Sequence, residues 1–312
     1  MKKVNTMEEF ATLAGVSRPT ASKYFENTDA VGARSRQKIE NTLKKVDYRP
    51  NFLASRLMRK DTKIIGVLIP SLGDPFYASI VRSIEEHAMI HNYSVLVECS
   101  HGQAHIEEKA IENLLSLKVA GICYAPSGIQ QIGKKLHRLQ EDIPFVFFDA
   151  IFEGVKYSVQ NNNFHSIKLI TDYMIESGRN PVFFPMPNVN SNAVERLQAY
   201  EESMLNHGLE PRVLPVNTKS CWDFEDWGRE QALQMIRRKK ITKDGVICAN
   251  DRVAFGVISA LFSEGMINTA LPRDQQIAIS GHDNQPLSKF TCPPLTTVAQ
   301  DIEGIGRFAV EK

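Results

Sequence analysis

The sequence predicts an α/β protein with a helical head followed by a two-lobed core of doubly wound parallel sheets. Residues 6–25 contain two short helix patterns joined by a glycine, as in a helix-turn-helix. From Ile64 onward, short apolar runs alternate with amphipathic helix patterns, as βαβ units require. The charge divides in the same way. Residues 1–60 contain 13 Lys or Arg against 6 Asp or Glu, a net charge of +7, whereas the remainder contains 24 against 30, a net charge of −6.

The first helix of the head is predicted from a capping box, because Glu9 follows Thr6 at the spacing at which each can satisfy an amide of the first turn. Gly15 ends its apolar pattern and supplies a chain reversal. Ser17 can cap the second helix, and Pro19 suits an early helical position. In a helix-turn-helix the second helix enters the DNA major groove, and its first residues face the base edges. The residues in that position are short, polar or cationic: Arg18, Pro19, Thr20, Ser22 and Lys23.

The rest of the head is predicted to be a loop over residues 27–36 and a third helix over Ser35–Val46 that closes a three-helix core. Pro50 then breaks the preceding helix, and Asn51 can cap one more short helix. That helix is too short to be stable alone, so its order has to come from a bound partner or a second copy. We therefore divide the chain into a DNA-binding head (1–47), a hinge helix and linker (48–62) and the two-lobed core (63–312).

The core is predicted to contain two series of alternating strands and helices. The first has strands at Ile64–Ile69, Tyr93–Glu98, Gly121–Ala125 and Phe145–Phe148, with helices at Phe76–Ile90, Ile106–Leu117 and Ile129–Leu139. The second starts near Val159, with helices at Phe164–Ser177, Ala193–His207, Phe224–Ile236 and Arg252–Ser263 and strands at Val182–Phe184, Val213–Val216, Gly245–Cys248 and Gln276–Ser280. Sheets of this kind bind ligands at the carboxyl ends of their strands, so a cleft between two lobes is the expected ligand site.

Polar residues follow several of these predicted strands. Asp74, Asp149, Asn250 and Asp283 all lie at or just beyond strand ends. Singly, such a residue is usually a helix cap or turn former, but their shared position favours a common cleft. Arg196 and the aromatic residues Phe76 and Trp222 complete a set that suits a polyhydroxylated ligand.

Other classes of protein have little support. The sequence has no Walker A motif, GxGxxG, HExxH or GxSxG, so we expect neither an enzyme nor a cofactor. The five scattered cysteines include no CxxC pair and are expected to be reduced and mostly buried. Two histidine pairs, His87 with His91 and His101 with His105, have the i, i+4 spacing of metal ligands but no convincing third ligand. Without a secretory signal or an 18-residue apolar run, the protein is expected in the cytoplasm, away from membranes and associated with the nucleoid when bound to DNA.

Several motifs in the right order resemble those of the lactose repressor (LacI/GalR) family of transcriptional regulators. They are AGVSRPTASK in the head, YRPNFLASRL in the hinge, GDPFYASI, VERLQAY, CANDRVAFG and SGHDN in the core, and PPLTTVAQDIEGIGR near the end. The resemblance covers essentially all 312 residues. It implies a periplasmic-binding-protein-like core, and the family's last helix normally continues past Lys312, so we expect a further C-terminal segment.

The resemblance also implies roles for individual residues in DNA binding. Arg18 and Pro19 would occupy the base-reading positions, Lys23 would replace a usual arginine, and neighbouring hydroxyls would contact phosphates. The contacts expected from the head are Ser17, Arg18, Pro19, Thr20, Ser22 and Lys23. The hinge helix would contribute Asn51, Ala54 and Leu57, with Leu57 as the side chain that wedges between base pairs.

For the core, the resemblance implies an effector site formed by Asp74, Phe76, Asp149, Arg196, Trp222, Asn250 and Asp283. Ala150 replaces a frequent arginine of the family, so the site carries less charge than usual. The predicted function is a repressor that binds a palindromic double-stranded DNA operator as a homodimer and is controlled by a small molecule, a sugar or sugar derivative. The alternative is a sugar-binding or sensing protein that uses the two-lobe core without binding an operator; in that case deleting residues 1–60 leaves its function intact.

Overall fold

The computed structural model describes residues 2–50, 62–128, 140–150, 154–241 and 244–312. The chain divides into two compact units, residues 1–62 and residues 63–312. None of the described helices is both long enough and apolar enough to cross a lipid bilayer.

The first unit is a small helical domain. Its elements are β1 (Lys2–Lys3), α1 (Met7–Ala14), α2 (Arg18–Glu26), a 3₁₀ turn (Thr28–Ala30), α3 (Ala33–Leu43) and β2 (Val46–Asp47). The Thr6 hydroxyl accepts the Glu9 amide, and Gly15 ends α1 in the left-handed conformation with φ 62°. The carboxylate of Glu9 accepts the amide of Asn5. Phe10 is fully buried and stacks on Tyr48 with ring centroids 4.6 Å apart.

The third helix starts and ends earlier than the sequence pattern predicts. It begins at Ala33, so part of the predicted loop is helical, and it ends at Leu43. Val46 is buried in β2, which pairs in parallel with β1. An apolar residue at helical spacing is therefore buried by a strand in this case, which periodicity alone does not distinguish.

The second unit contains two parallel sheets flanked by helices. The strands are β3 (Ile64–Ile69), β4 (Ser94–Cys99), β5 (Gly121–Tyr124), β6 (Phe145–Phe148), β7 (Tyr157–Val159), β8 (Val182–Phe184), β9 (Val246–Cys248), β10 (Ile279–Asp283) and β11 (Thr296–Ala299). The first sheet has the order β4-β3-β5-β6-β7 and the second the order β11-β10-β9-β8. The helices are α4 (Pro75–Ile90), α5 (Ala104–Ser116), α6 (Asn163–Glu176), α7 (Ser191–Asn206), α8 (Phe224–Arg237), α9 (Asp251–Ser263) and α10 (Ile302–Glu311).

Each sheet forms the centre of one lobe. Lobe 1 contains β3–β7 with α4, α5 and α10, and lobe 2 contains β8–β11 with α6–α9. The last helix belongs to lobe 1, because Ile305 and Ala309 of α10 join the same buried cluster as Ile80 and Ile84 of α4. The chain therefore passes from lobe 1 to lobe 2 after β7 and returns after β11.

Several elements of the core differ from the sequence prediction. The strand at Val159 pairs with β6, so it completes the first sheet rather than starting the second lobe. Residues 213–216 form no strand; Val213 makes a single bridge to Phe183, and Pro215 lacks the N–H that a ladder needs. Strand β10 begins three residues late and includes Asp283, and β11 and α10 were not predicted as elements. The predicted helix at 129–139 lies outside the described residues.

The two crossover segments are hydrogen-bonded to each other. The side-chain amide of Asn161 donates to Oε1 of Gln300, and the Asp301 amide donates to Oδ1 of Asn161 at 3.2 Å. These bonds join the connection that leaves β7 to the connection that leaves β11. They therefore lie at the hinge between the two lobes.

Candidate functional site

The first turn of α2 presents the side chains that the sequence assigns to DNA. Ser17 caps the helix through the Thr20 amide at 3.3 Å, and the two hydroxyls are 2.8 Å apart. Ser17, Arg18, Pro19 and Lys23 are exposed, whereas Thr20 and Ser22 are half-buried. The arrangement offers hydroxyl and cationic donors on one helix end, which suits phosphate and base-edge contacts.

Arg18 forms an ion pair with Glu8 of α1. The side chains are 49% and 63% exposed, so the pair contributes little stability and can exchange for another acceptor. The Ser22 hydroxyl donates to Glu26 at 3.3 Å. The predicted hinge contacts Asn51, Ala54 and Leu57 lie outside the described residues.

In the core, all seven side chains predicted to bind an effector line one cavity between the lobes. They come from opposite sides, since Asp74, Phe76 and Asp149 belong to lobe 1 and Arg196, Trp222, Asn250 and Asp283 to lobe 2. The sequence reasoning missed the other lining residues, which are Tyr77, Met186, Val189, Asn190, Asn192, Phe224 and Gln300. Asn190 and Asn192 follow β8, so the rule that found Asp149 and Asn250 at strand ends could have found them too.

Asp149 follows β6 and bonds across the cleft. Its carboxylate accepts from the Tyr77 hydroxyl at 2.7 Å in lobe 1, and from the side-chain amides of Asn192 at 2.8 Å and Asn190 at 3.3 Å in lobe 2. The backbone of Asp149 has φ 69°, a conformation rare for a residue with a side chain and often found at functional sites. Burial raises the pKa of this carboxyl to about 6.

Arg196 and Asp283 form a buried pair in lobe 2. The guanidinium donates to Asn163 Oδ1 at 3.0 Å and to the Ala249 carbonyl at 2.8 Å, and it lies 3.4 Å from Asp283. Asp283 also has positive φ, at 115°, and it pairs with the neighbouring imidazole of His282 at 2.8 Å. Burial alone would raise the pKa of Asp283, but Arg196 and the hydrogen-bond donors outweigh it and hold the pKa below its usual value.

Arg252 links the lobes on another side of the cavity. Asp74 caps α4 through the Phe76 amide at 3.0 Å and accepts from Arg252 at 3.1 Å. Glu225 of lobe 2 holds the same guanidinium through two bonds of 2.7 and 2.6 Å. Burial raises the pKa of Asp74, and Arg252 partly offsets this shift. Arg252 was not predicted as a site residue.

Aromatic rings form one wall of the cavity. The rings of Phe76 and Tyr77 are 5.1 Å apart, those of Tyr77 and Trp222 6.3 Å, and those of Trp222 and Phe224 5.8 Å. Asn250 caps α9 through the Val253 amide at 2.8 Å, so its carbonyl oxygen already has a partner. The cavity itself has a volume of about 30 Å³, which is room for little more than one water molecule. Pockets for small ligands are roughly ten times larger, so a ligand requires the lobes to separate.

The described residues contain no group of three or more His, Cys, Asp or Glu side chains that could hold a metal ion. The five cysteines are free thiols, but only Cys123 and Cys248 are buried and Cys292 is exposed. The prediction that the thiols are mostly buried was therefore wrong. It followed from the average burial of cysteine rather than from the position of each residue.

Comparison with known proteins identifies both parts of the chain. Residues 6–51 match the family described as "Bacterial regulatory proteins, lacI family", and residues 62–310 match "Periplasmic binding proteins and sugar binding domain of LacI family". The ribose operon repressor of Escherichia coli K12 is 29% identical over 308 residues, covering 98% of this chain and 91% of that protein. A transcriptional repressor named PurR from Histophilus somni is 28% identical over 309 residues, covering 98% and 90%.

Solved structures share the fold. A Lac repressor dimer bound to operator and the anti-inducer ONPF superposes with a TM-score of 0.82 at 24% identity, covering 99% of this chain and 91% of the other. The relatives named above are transcriptional repressors rather than enzymes. The family matches together cover most of the chain, from the helix-turn-helix to the two-lobed core. The chain therefore belongs to the LacI family of bacterial regulatory proteins, DNA-binding repressors that respond to small molecules.

Proposed function

We propose that this protein binds a near-palindromic operator as a homodimer and that a small polyhydroxylated effector, a sugar or sugar derivative, sets its affinity for DNA. The observation that carries the proposal is the convergence of all seven predicted effector contacts on one cavity between two lobes. Two similar proteins support a sugar as the ligand: one relative is a ribose operon repressor, and one structure with the same fold is a complex of the regulator CelR with cellobiose.

The proposed mechanism couples the cleft to the DNA-binding head through the lobe angle. Hydrogen bonds from Asn190 and Asn192 to Asp149, and from Arg252 to Asp74, join the lobes directly, so a ligand between them has to replace these bonds. A change of lobe spacing in a dimer alters the separation of the two heads. A coupling free energy of about 1 to 3 kcal/mol changes operator affinity by roughly 5- to 150-fold.

Within this proposal, α2 reads the operator. Arg18 is the residue expected to reach a base, because it lies at the start of the helix and its present partner is the exposed Glu8. Lys23 is expected to contact the backbone. The protein would act in the cytoplasm, on DNA of the nucleoid.

The test is to select operator sequences from a random DNA pool with the full chain and then to measure binding with and without a panel of sugars. We expect an enriched palindrome, steep salt dependence, and at least one compound that shifts affinity. Arg18→Ala should cost about 1 to 3 kcal/mol and relax preference at one base pair, whereas Lys23→Ala should weaken all sequences alike. Arg82→Ala is the control, because this side chain of α4 is exposed and lies outside the cavity.

The alternative function makes the opposite prediction. A sugar-binding protein that does not use an operator would bind a compound of the panel, yet would enrich no DNA sequence. That result, or DNA binding without preference over random sequence, would refute the proposed role as an operator-binding regulator.

A further inference from the structure

The charges that face the cavity are not balanced. Among the residues that the structure describes, three carboxylates line it, Asp74, Asp149 and Asp283, against one guanidinium, that of Arg196. Arg196 is already committed to Asp283. Arg252, the next cation, is committed to Asp74 and to Glu225 outside the cavity wall. Each available cation is therefore matched by at least one carboxylate.

Asp149 is the carboxylate that remains. It is 7% exposed, and its hydrogen-bond donors, Tyr77, Asn190 and Asn192, are all neutral. No Lys, Arg or His forms an ion pair with it in the described part of the chain. Burying a carboxylate without a cation is costly, and the raised pKa of about 6 expresses that cost. At neutral pH the group is still ionised, so the cleft contains an uncompensated negative charge.

A buried oxygen atom without a hydrogen-bond partner in the described part of the chain lies on Gln285, beside Asp74. Gln285 donates to Asp74 at 3.4 Å, but its own carbonyl oxygen Oε1 is buried and has no hydrogen-bond partner among the described residues. Gln285 is not among the residues that line the cavity. Tyr77 and Trp222 do line it, and aromatic rings of this kind attract cations.

These observations concern the effector of the proposed function, and the inference rests on that function. We infer that the effector is a hydroxylated small molecule bearing a protonated amine, which binds Asp149. An ammonium group offers three donors and a positive charge and needs no acceptor. A phosphate or carboxylate would meet an excess of negative charge with both neighbouring guanidinium groups occupied. A neutral sugar would leave the charge of Asp149 without a counterion.

Lobe separation makes Asp149 available to such a ligand. Asp149 and Tyr77 belong to lobe 1, whereas Asn190 and Asn192 belong to lobe 2. When the lobes part, the two asparagines withdraw and the carboxylate keeps only the tyrosine. The ammonium group then takes the places that the two amides occupy in the closed cleft.

The first test measures binding to the full chain by calorimetry, with sets of compounds that share a ring: hexoses, their 2-amino-2-deoxy forms and their 6-phosphates. The amine of a binding set is expected to bind at least tenfold more tightly than its neutral counterpart at pH 7.5. Asp149→Asn should abolish that preference. Asp172→Asn, an acid of lobe 2 paired with Lys168 outside the cavity, should keep it. A neutral or anionic member that binds as tightly as its amine overturns the inference.

The pH dependence gives a further readout of the same preference. In the closed cleft the pKa of Asp149 is about 6, so protons compete with an ammonium group for this carboxylate as the pH falls, and the preference for an amine should be smaller at pH 5 than at pH 7.5. The titratable or charged groups that act on Asp149 are Tyr77, Arg196 and Asp283, and Asp74 acts in turn on Tyr77. A preference that persists unchanged at pH 5 would exclude Asp149 as its source.

A second test needs no ligand. Asn190→Lys places a cation within reach of Asp149, and Asn190→Met is the matched control because it also loses the cap of α7 and has a similar length. At pH 7.5 the lysine variant is expected to melt about 2 °C or more above the methionine variant. In an Asp149→Asn background the difference should vanish. Equal melting temperatures in the native background would refute the uncompensated charge.

The two tests separate this inference from the proposed function. If a neutral sugar binds best and still shifts operator affinity, the amine is wrong and the effector-controlled repressor stands. If the lysine variant is stabilised as expected but no compound changes operator affinity, the charge deficit holds and the effector mechanism fails.

Discussion

Two glycines of lobe 1, Gly102 and Gly128, lie against residues of lobe 2, and Gly128 gives the sharper prediction. It follows β5 in lobe 1, and a Cβ added to it would lie 2.3 Å from the carbonyl oxygen of Val189 in lobe 2. Because that oxygen belongs to backbone, no side-chain rotation relieves the overlap. We expect Gly128→Ala to push the lobes apart.

The magnitude follows from comparison with Gly178. Gly128 has φ +77° and Gly178 φ +78°, but a Cβ added to Gly178 would meet nothing within 4 Å. Alanine in this conformation costs about 1 to 2 kcal/mol at either position, so both variants should lose roughly 2 to 8 °C in melting temperature. Only Gly128→Ala must also move the opposing backbone, by about 1 Å, to restore an ordinary van der Waals contact.

Trp222 reports that movement. It is half-buried at the lobe interface, 6.3 Å from Tyr77 of lobe 1 and 5.8 Å from Phe224 of lobe 2. Replacing the other tryptophan, Trp227→Phe, makes its fluorescence readable alone. Gly128→Ala should shift the emission to longer wavelength as the ring gains water, whereas Gly178→Ala should leave it unchanged. Identical emission from the two variants, at similar losses of stability, would refute the close contact as a limit on lobe closure.

Three further predictions test other parts of the core. Gly102→Ala should displace the ring of Trp222, since the added methyl would lie 1.9 Å from the indole nitrogen; Gly208→Ala, with φ +69° against +66° and open space, should not change tryptophan fluorescence. Arg196→Ala should lower the free energy of unfolding in urea by about 3 to 5 kcal/mol, because it leaves the buried Asp283 carboxylate without its cation and the Asn163 amide oxygen without its donor; a loss below 1 kcal/mol would contradict this. Burial raises the pKa of Asp251 to about 7 in the native state, whereas an unfolded aspartate titrates near 4. Between about pH 4 and 7 the native state therefore keeps a proton on this carboxyl that the unfolded state has lost. Its contribution to stability therefore falls as pH rises through that window, and Asp251→Asn should flatten the measured slope.

The sequence is sufficient where local pattern decides the structure. Strands Ile64–Ile69, Phe145–Phe148 and Val182–Phe184 have the predicted bounds, because each is a continuous apolar run that only a buried parallel strand accommodates. The secondary structure predicted for Val46 and Val213 was wrong, for opposite reasons. Val46 continues a helical pattern but pairs with a strand at the other end of the domain, whereas Val213 has strand composition but is followed by Pro215.

The site shows the same division. Asp74, Asp149 and Asn250 could be predicted because the carboxyl ends of parallel strands gather on one edge of a sheet. Arg252 could not, because its partner Asp74 is 178 residues away and belongs to the other lobe. Tyr77 likewise has an ordinary place in an amphipathic helix, and only the fold brings its hydroxyl to Asp149, 72 residues along the chain. Roles that depend on the packing of one lobe against the other cannot be predicted from local sequence patterns.

A continuous chain of hydrogen bonds runs from Asp283, at the cavity, to the two crossovers at the hinge. Gln300, in the segment that returns to lobe 1, donates to Asp283 at 2.5 Å and accepts from Asn161 in the other crossover. A ligand shifts an equilibrium between two lobe arrangements only if it binds one of them more tightly. A cavity of about 30 Å³ is too small for a sugar. The arrangement that a sugar would bind must therefore have the two lobes farther apart than they are here. We expect such a change to rotate the chain at the two crossovers, where Gln300 lies between Asp283 and Asn161. A carboxylate that lines the cavity is therefore one hydrogen bond away from the backbone that is expected to rotate.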